Sequence, residues 1–291
     1  MYIDLHVHSN ASDGTLTPTE IVELAVANQI SAIALTDHDT LVGIPEAHSA
    51  ALAATQKGHK IQVIPGAELS VSYGKKDIHI LGLFVDPNNK LLLQSLATAR
   101  RKRDERNEKM AANLEAVGLD ISMDKIRAIE GDAILTRAHF AKYLVEHGYV
   151  KTNQDAFNRY LSSDSSYYVP REYLAPEEAI YLIQSAGGLA ILAHPLLYKY
   201  SLAEVEQLVS DFTNQGLDGI EAIYSSNIGF DEGHMRHLAN KYGLVISGGS
   251  DFHGANKPGL DLGIGRGNLK IPYSVLEKLE ERITKKSSHK K

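Results

Sequence analysis

The chain has 291 residues, of which 43% are hydrophobic and 23% charged, with a formal net charge of -6. That length buries one large core, or one core plus a small inserted unit, and the balance is ordinary for a soluble globular enzyme. The absence of cysteine excludes disulfides, thiolate nucleophiles and Cys-based zinc knuckles, and the negative charge argues against broad binding to duplex DNA.

No apolar run is long enough for a bilayer, and Met1 leads straight into a strand pattern without a signal peptide. No membrane is expected and a cytoplasmic location is the default. Residues 2–8 read as a strand rich in β-formers, broken by the turn sequence Ser9-Asn10-Ala11-Ser12-Asp13-Gly14. Alternation points His6 and His8 to one side, where two imidazoles about 7 Å apart can close on one ion if the backbone curves. Thr17-Pro18-Thr19-Glu20 opens a helix with a cap, an early proline and an acidic first turn. The apolar run 31–36 reads as a strand buried on both faces and stops on Asp37-His38-Asp39. A helix follows at about 44–57, then a strand over 61–68 ending on Glu68, then a strand over 77–84 carrying His79.

From about residue 96 the character changes. The mixed charge run from Arg100 to Lys109, with Met110, Leu114 and Val117 at helical spacing, predicts an exposed amphipathic helix. Helical patterns continue at 123–129, 138–147 and 155–161, and only Tyr167-Tyr168-Val169 suggests a strand. We therefore expect residues 96–172 to form a helical insertion over the face where the strands end, with 1–95 and 173–284 forming the main domain. The alternation resumes with a helix at 176–186 and a strand at 189–193, ending on His194-Pro195. Next come a helix at 202–215, a strand at 219–224, a helix at 234–242 and a strand at 244–249 that ends on Ser250-Asp251-Phe252-His253. A helix at 273–284 precedes a basic tail, 285–291, expected to be disordered.

Strands alternating with helices predict an α/β fold with a mostly parallel sheet, closed as a barrel. Its strand ends carry His6/His8, Asp37/His38/Asp39, Glu68, His79, His194 and Asp251/His253. So many unpaired polar groups at the rim of an apolar core would carry a large desolvation cost. Metal ions remove it, and the set predicts a multinuclear metal site. Without cysteine the ligands suit manganese, zinc or iron.

These motifs, His-x-His, Thr36-Asp37-His38-Asp39, Glu68, His79, Ala193-His194-Pro195 and Ser250-Asp251-Phe252-His253, resemble the polymerase-and-histidinol-phosphatase (PHP) superfamily over nearly the whole chain. The insertion, with Thr136-Arg137-Ala138-His139-Phe140 and Tyr168-Val169-Pro170, resembles the branch of 3′,5′-nucleotide bisphosphate phosphatases and enzymes that trim RNA 5′ ends. The resemblance implies a distorted seven-stranded barrel holding two to three divalent ions, manganese first. It implies that His6, His8, Glu68 and Asp251 hold one ion, that Glu68 bridges to a second with His79 and His194, and that Asp13, His38 and His253 hold a third. Asp13 stands where some family members have His, which weakens the preference for a softer ion there. Asp4, Asp37 and Asp39 are expected to orient ligand imidazoles.

The implied chemistry is hydrolysis of a small phosphorylated substrate, a nucleotide or short RNA, by a water bridged between two ions. His194, Asp251 and His253 would be catalytic, and Arg137, His139 and Arg171 would read substrate phosphate. Histidinol phosphate is the alternative substrate, and a non-catalytic metal-binding module the alternative class. An amidohydrolase would also use His-x-His on a barrel, but no bridging lysine is evident among the strand ends. The sequence leaves the oligomeric state open.

Overall fold

The alternation of short apolar runs with capped helices resolves, in a computed structural model describing residues 1–74, 76–170 and 172–289, into one seven-stranded sheet wrapped by helices. The strands are β1 (Tyr2–Val7), β2 (Ile30–Leu35), β3 (Gln62–Tyr73), β4 (Lys76–Leu83), β5 (Leu189–Leu192), β6 (Gly219–Tyr224) and β7 (Val245–Gly249), neighbouring one another in chain order. The helices are α1 (Pro18–Ala27), α2 (Ile44–Gln56), α3 (Lys90–Glu115), α4 (Met123–Glu130), α5 (Arg137–Glu146), α6 (Asn153–Ala156), α7 (Pro176–Ser185), α8 (Leu202–Asn214), α9 (Asp231–Lys241) and α10 (Ser274–His289). In α1 the expected start is a full capping box between Thr17 and Glu20.

The sheet curls until its last strand meets its first. Asp251 N donates to His6 O at 2.9 Å, and His8 N donates to Phe252 O at 2.9 Å. Only a glycine lets this seam close, because a Cβ at Gly249 would stand 2.3 Å from the Cβ of His6. The product is a nearly closed, distorted α/β barrel.

All neighbouring strands run parallel except β4, which is antiparallel to both β3 and β5. This corrects the reading of 61–68 as a strand ending on Glu68. β3 continues to Tyr73 and doubles back into β4, so Glu68 sits mid-strand opposite Leu81. His79, near the start of the reversed strand, thereby reaches the rim where its parallel neighbours end.

Alternation sorts the apolar side chains. Ile33, Leu35, Ile80, Leu192 and Ile220 belong to an outer cluster with the covering helices. Ala32, Ala34, Ile64, Leu81, Ile191 and Ile223 fill the barrel, plugged by Val275, Leu276 and Leu279 of α10. A third cluster of Met110, Leu114, Ile126, Phe140, Leu144 and Leu161 lies within the segment from α3 to the π-helical turn Phe157–Leu161. α3 begins earlier than expected and joins the two regions, with Leu92 and Leu96 in the outer barrel cluster.

Three further expectations are corrected. The charge run in α3 is not wholly exposed, because Arg103, Arg106 and Asn107 are buried. Residues 167–169 form no strand. The tail is helical through His289 in α10, where Lys286 reaches the buried Asp218 at 2.6 Å and supplies the counter-charge that burial demands.

Candidate metal centre

The chain aims a set of donors into the barrel by simple strand geometry. Glu68, His79 and Glu221 each lie between two residues of the outer cluster, Ala67/Leu69, Ile78/Ile80 and Ile220/Ala222, so alternation turns them inward. In β1 a register shift between Asp4 and Val7 inverts the alternation. Ile3 and Leu5 face the barrel core and Val7 joins the outer cluster, which leaves His6 and His8 facing inward above the apolar plug. Asp13 arrives on the turn after β1, where a Cβ at Gly14 would lie 2.3 Å from His8 O. His38, His194, Asp251 and His253 follow the ends of β2, β5 and β7. Asp39, His194 and Asp251 hold left-handed backbone, with φ of 50°, 29° and 60°, a strain typical of functional sites.

Glu68 is the hub. One or other of its oxygens lies 3.6 Å from His6 Nε2, 3.3 Å from His8 Nε2, 3.2 Å from His38 Nδ1, 2.8 Å from His79 Nδ1 and 3.0 Å from His194 Nε2. The Nε2 atoms of His6 and His8 are 3.1 Å apart, and Asp251 Oδ1 is 3.6 and 3.5 Å from them. Asp13 Oδ1 stands 3.2 Å from His253 Nε2 and 3.6 Å from His8 Nδ1, with Oδ2 3.7 Å from His38 Nε2. All nine residues expected from the sequence therefore meet in one basin. The grouping is tighter than three separate sets, since His8 and His38 each turn both ring nitrogens toward carboxylates.

This donor set fits divalent ions. Three groups, His8/Asp13/His38/His253, His6/His8/Glu68 and His38/Glu68/His79, keep their donor atoms within 4.8 Å of one another. The buried Nδ1 atoms of His8, His38 and His194 make no hydrogen bond, an arrangement that costs energy unless a cation takes the lone pairs. Burial would raise Glu68, but His79, His38 and His6 outweigh it and hold its carboxyl well below the usual range. Asp13 and Asp251, also against burial, are held well below theirs, Asp13 first by His253 and Asp251 first by Lys257 and His6. Burial drives His38 down to about 3, whereas at His79 the Glu68 carboxylate overcomes burial and lifts the imidazole to about 10.

One residue with no expected role proves central. Glu221 is wholly buried, accepts from His6 Nδ1 at 3.0 Å and from the His194 backbone N–H at 2.8 Å. It thereby holds His6 with Nε2 toward the basin. Its signal was a carboxylate in the middle of an apolar strand. For Asp4 and Asp37 the expectation that they orient imidazoles is corrected. Asp4 accepts from Ser250 N and Oγ and from Gly263 N, Asp37 from Ser9 and Ser12, and Asp39 pairs with Arg103 at 2.5 Å. They brace the loops that carry the donors. Asp251 is braced in turn, with Oδ2 taking Tyr224 Oη at 2.7 Å and Lys257 Nζ at 2.5 Å while Oδ1 faces the basin.

Adjoining the basin is a cavity of about 150 Å3 whose lining includes Asp13, His38 and His79 together with Arg103, Arg106 and Arg137. Arg103 and Arg106 escaped the sequence reading because a mixed charge run looks like a solvated helix face. Arg137 opens α5, whose cap Thr136 donates from Oγ1 to Asp13 Oδ2 at 3.0 Å. It donates to Leu161 O at 3.3 Å and faces the Tyr168 ring at 5.5 Å. His139 is not part of this lining. Its Nδ1 accepts from Thr136 N at 2.9 Å and completes the α5 cap, a structural role the sequence did not show. Arg171 lies outside the described residues.

Comparison with known proteins agrees with this geometry. A family model described as the PHP domain matches residues 4–169. The chain is 39% identical over 283 residues to a 3′,5′-nucleoside bisphosphate phosphatase of Chromobacterium violaceum, covering 97% of each chain. It is 34% identical over 250 residues to the 5′-3′ exoribonuclease Rnm of Escherichia coli, covering 86% of this chain and 84% of that one. A solved structure from Chromobacterium violaceum, described as an amidohydrolase with bound sulfate and no metal, superposes with a TM-score of 0.86 at 37% identity, covering 97% of both chains. No helix among the described residues is long and apolar enough to cross a membrane.

Proposed function

The chain belongs to the PHP domain family, and on that premise we propose that it removes the 3′-phosphoryl group from nucleotides that also carry a 5′-phosphate. The substrate is a free 3′,5′-bisphosphate, converted to the 5′-nucleotide, or the 5′ end of a short RNA, trimmed one nucleotide at a time. The chain is a metal-dependent phosphoesterase, and the observation that carries the substrate class is one small cavity lined by Asp13, His38 and His79 of the basin together with Arg103, Arg106 and Arg137.

His6, His8, Asp13, His38, Glu68, His79, His194, Asp251 and His253 would hold two to three divalent ions, for which manganese is our assignment. Such ions acidify water and neutralise charge on phosphoryl oxygens. The chain's own groups do the rest. The guanidinium of Arg137, with Arg103 and Arg106 behind it, draws the phosphoryl group down onto the basin. Tyr224 and Lys257 fix Asp251, and Glu221 fixes His6, so the donors are set before substrate arrives. Water oxygen bonds to phosphorus as the ester P–O bond breaks, and the departing oxygen is steadied by an imidazole of the basin, for which His194 and His253 are the candidates. The helical segment 96–172 is the cap that brings the arginines over the barrel, and the protein works on small cytoplasmic substrates rather than duplex DNA.

Histidinol phosphate is the reading to beat, since it would use the same basin with a different leaving group. The deciding measurement is phosphate release by manganese-loaded protein from adenosine 3′,5′-bisphosphate beside histidinol phosphate and a short 5′-phosphorylated RNA. Strong release from the bisphosphate with AMP as product is expected, and a clear preference for histidinol phosphate would overturn the substrate assignment.

A further inference from the structure

Next to the small cavity runs a groove of about 670 Å3, and the two share Asp77, Arg137 and Tyr173 in their walls. The groove lies between the β3–β4 hairpin, the loop 162–170 and the turn that follows His194. Its size suits a nucleotide-sized ligand, whereas a simple phosphomonoester would fill the small cavity alone.

The turn is built under constraint. Residues Pro195–Tyr198 form a short 3-10 helix flanked at both ends by non-glycine residues in left-handed backbone, His194 at φ 29° and Lys199 at φ 54°. Tyr198 locks it in place, since its hydroxyl accepts from His79 N at 2.8 Å and donates to Ala193 O at 3.0 Å. Lys76 donates to the Tyr198 carbonyl and stands 4.1 Å over the Tyr200 ring. One strained, tightly bonded turn therefore carries a basin imidazole at its start and an exposed ammonium at its end. Lys199 forms no ion pair among the described residues. The carboxylates that line the groove are Asp77, which accepts from Tyr173 Oη at 3.0 Å and stands 3.7 Å from Arg137 Nη2, and Asp164 of the loop 162–170.

We propose that this groove is the subsite for the nucleoside and its distal phosphate, with Lys199, supported by Lys76, meeting that phosphate and Tyr168 offering its ring to the nucleoside. The inference deepens the reading above and rests on it, because it assumes that the scissile phosphate sits over the basin. The ligand chemistry is a 5′-phosphorylated nucleotide esterified at its 3′ oxygen, which a free bisphosphate and an RNA 5′ end both present. Charge and reach rather than base identity make the selection.

The test is steady-state kinetics on the full, manganese-loaded chain with Lys199→Ala, Lys199→Glu and Lys199→Arg. Substrates are adenosine 3′,5′-bisphosphate, adenosine 3′-monophosphate, and dinucleotides with 5′-phosphate or 5′-hydroxyl ends. Lys199→Ala should lower the ratio of kcat/KM for the bisphosphate over the monophosphate by about 10-fold, mainly through KM. Lys199→Glu should lower it further and Lys199→Arg should restore it. The same loss on the 5′-phosphorylated dinucleotide, and none on the 5′-hydroxyl one, would place RNA ends in the groove as well. Unchanged ratios in all variants of an enzyme that prefers the bisphosphate would overturn the subsite and leave the proposed function standing. A wild-type protein that ignores every nucleotide yet hydrolyses another phosphomonoester would overturn both.

Discussion

The metal basin stands on barrel strands with its donors almost wholly buried, while the groove beside it is walled by a hairpin, a loop and a short turn, and its terminal lysine is exposed. In the basin His6, His8 and His79 are aimed inward by their strands and His6 is braced by Glu221, so this geometry exists before any ligand arrives. In the groove, affinity depends on long cationic side chains over an open surface, where each contact is worth far less. The difference teaches that this fold separates chemistry from choice of substrate. Changes in the basin should strike every substrate alike, and changes in the groove should strike only those that reach it.

The largest effect is expected at the hub. Glu68→Ala removes the carboxylate shared by five imidazoles and should cut turnover by about 10³-fold or more on every phosphoester, with loss of bound metal measured by elemental analysis. Retained metal with selective loss of one substrate would erase the proposed division of labour.

A smaller and equally uniform loss is expected from Glu221→Gln, which keeps the shape but weakens the hold on His6. Activity and metal affinity should fall about 10- to 100-fold. If instead the bisphosphate alone suffered, Glu221 would belong with the groove.

The mildest test counts protons. In the metal-free protein Glu221, Asp251 and Glu68 overcome burial to keep His6 well above its ordinary pKa, and Glu68 and Asp77 do the same for His79, at about 10. Both therefore carry protons at pH 7, and ions must expel them on binding. His8 and His38, which burial pushes down, are already neutral and release none. Metal loading at pH 7 should release protons from His6 and His79, and metal affinity should rise with pH up to the titration of His79 near 10. Calorimetry in buffers of different ionisation enthalpy gives the count, and zero release would mean that the imidazoles arrive neutral.

Much of this molecule was legible from local pattern. The capping box at Thr17 and Glu20, the apolar strands and the donors at their ends follow from residue chemistry within a few positions of each site. Arg103 and Arg106 were not legible, because nothing along a charged helix marks the face another element will cover. The capping role of His139 was not legible either, because a helix-start histidine looks the same in sequence whether or not Thr136 N lies within reach of its ring. Glu221 lacked a partner in sequence, since its partners lie on β1 and after β5.

By itself the sequence determined that this chain would fold as strands and helices in alternation and would gather histidines and carboxylates at a barrel rim, because period and residue type are local properties. Tertiary structure alone decided the reversal of β4, the register shift that turns His6 and His8 inward, and the closing of β7 on β1 through Gly249. Strand direction, bulges and seams are set by the fit of distant segments against one another. No residue carries that information until its neighbour across the sheet is in place.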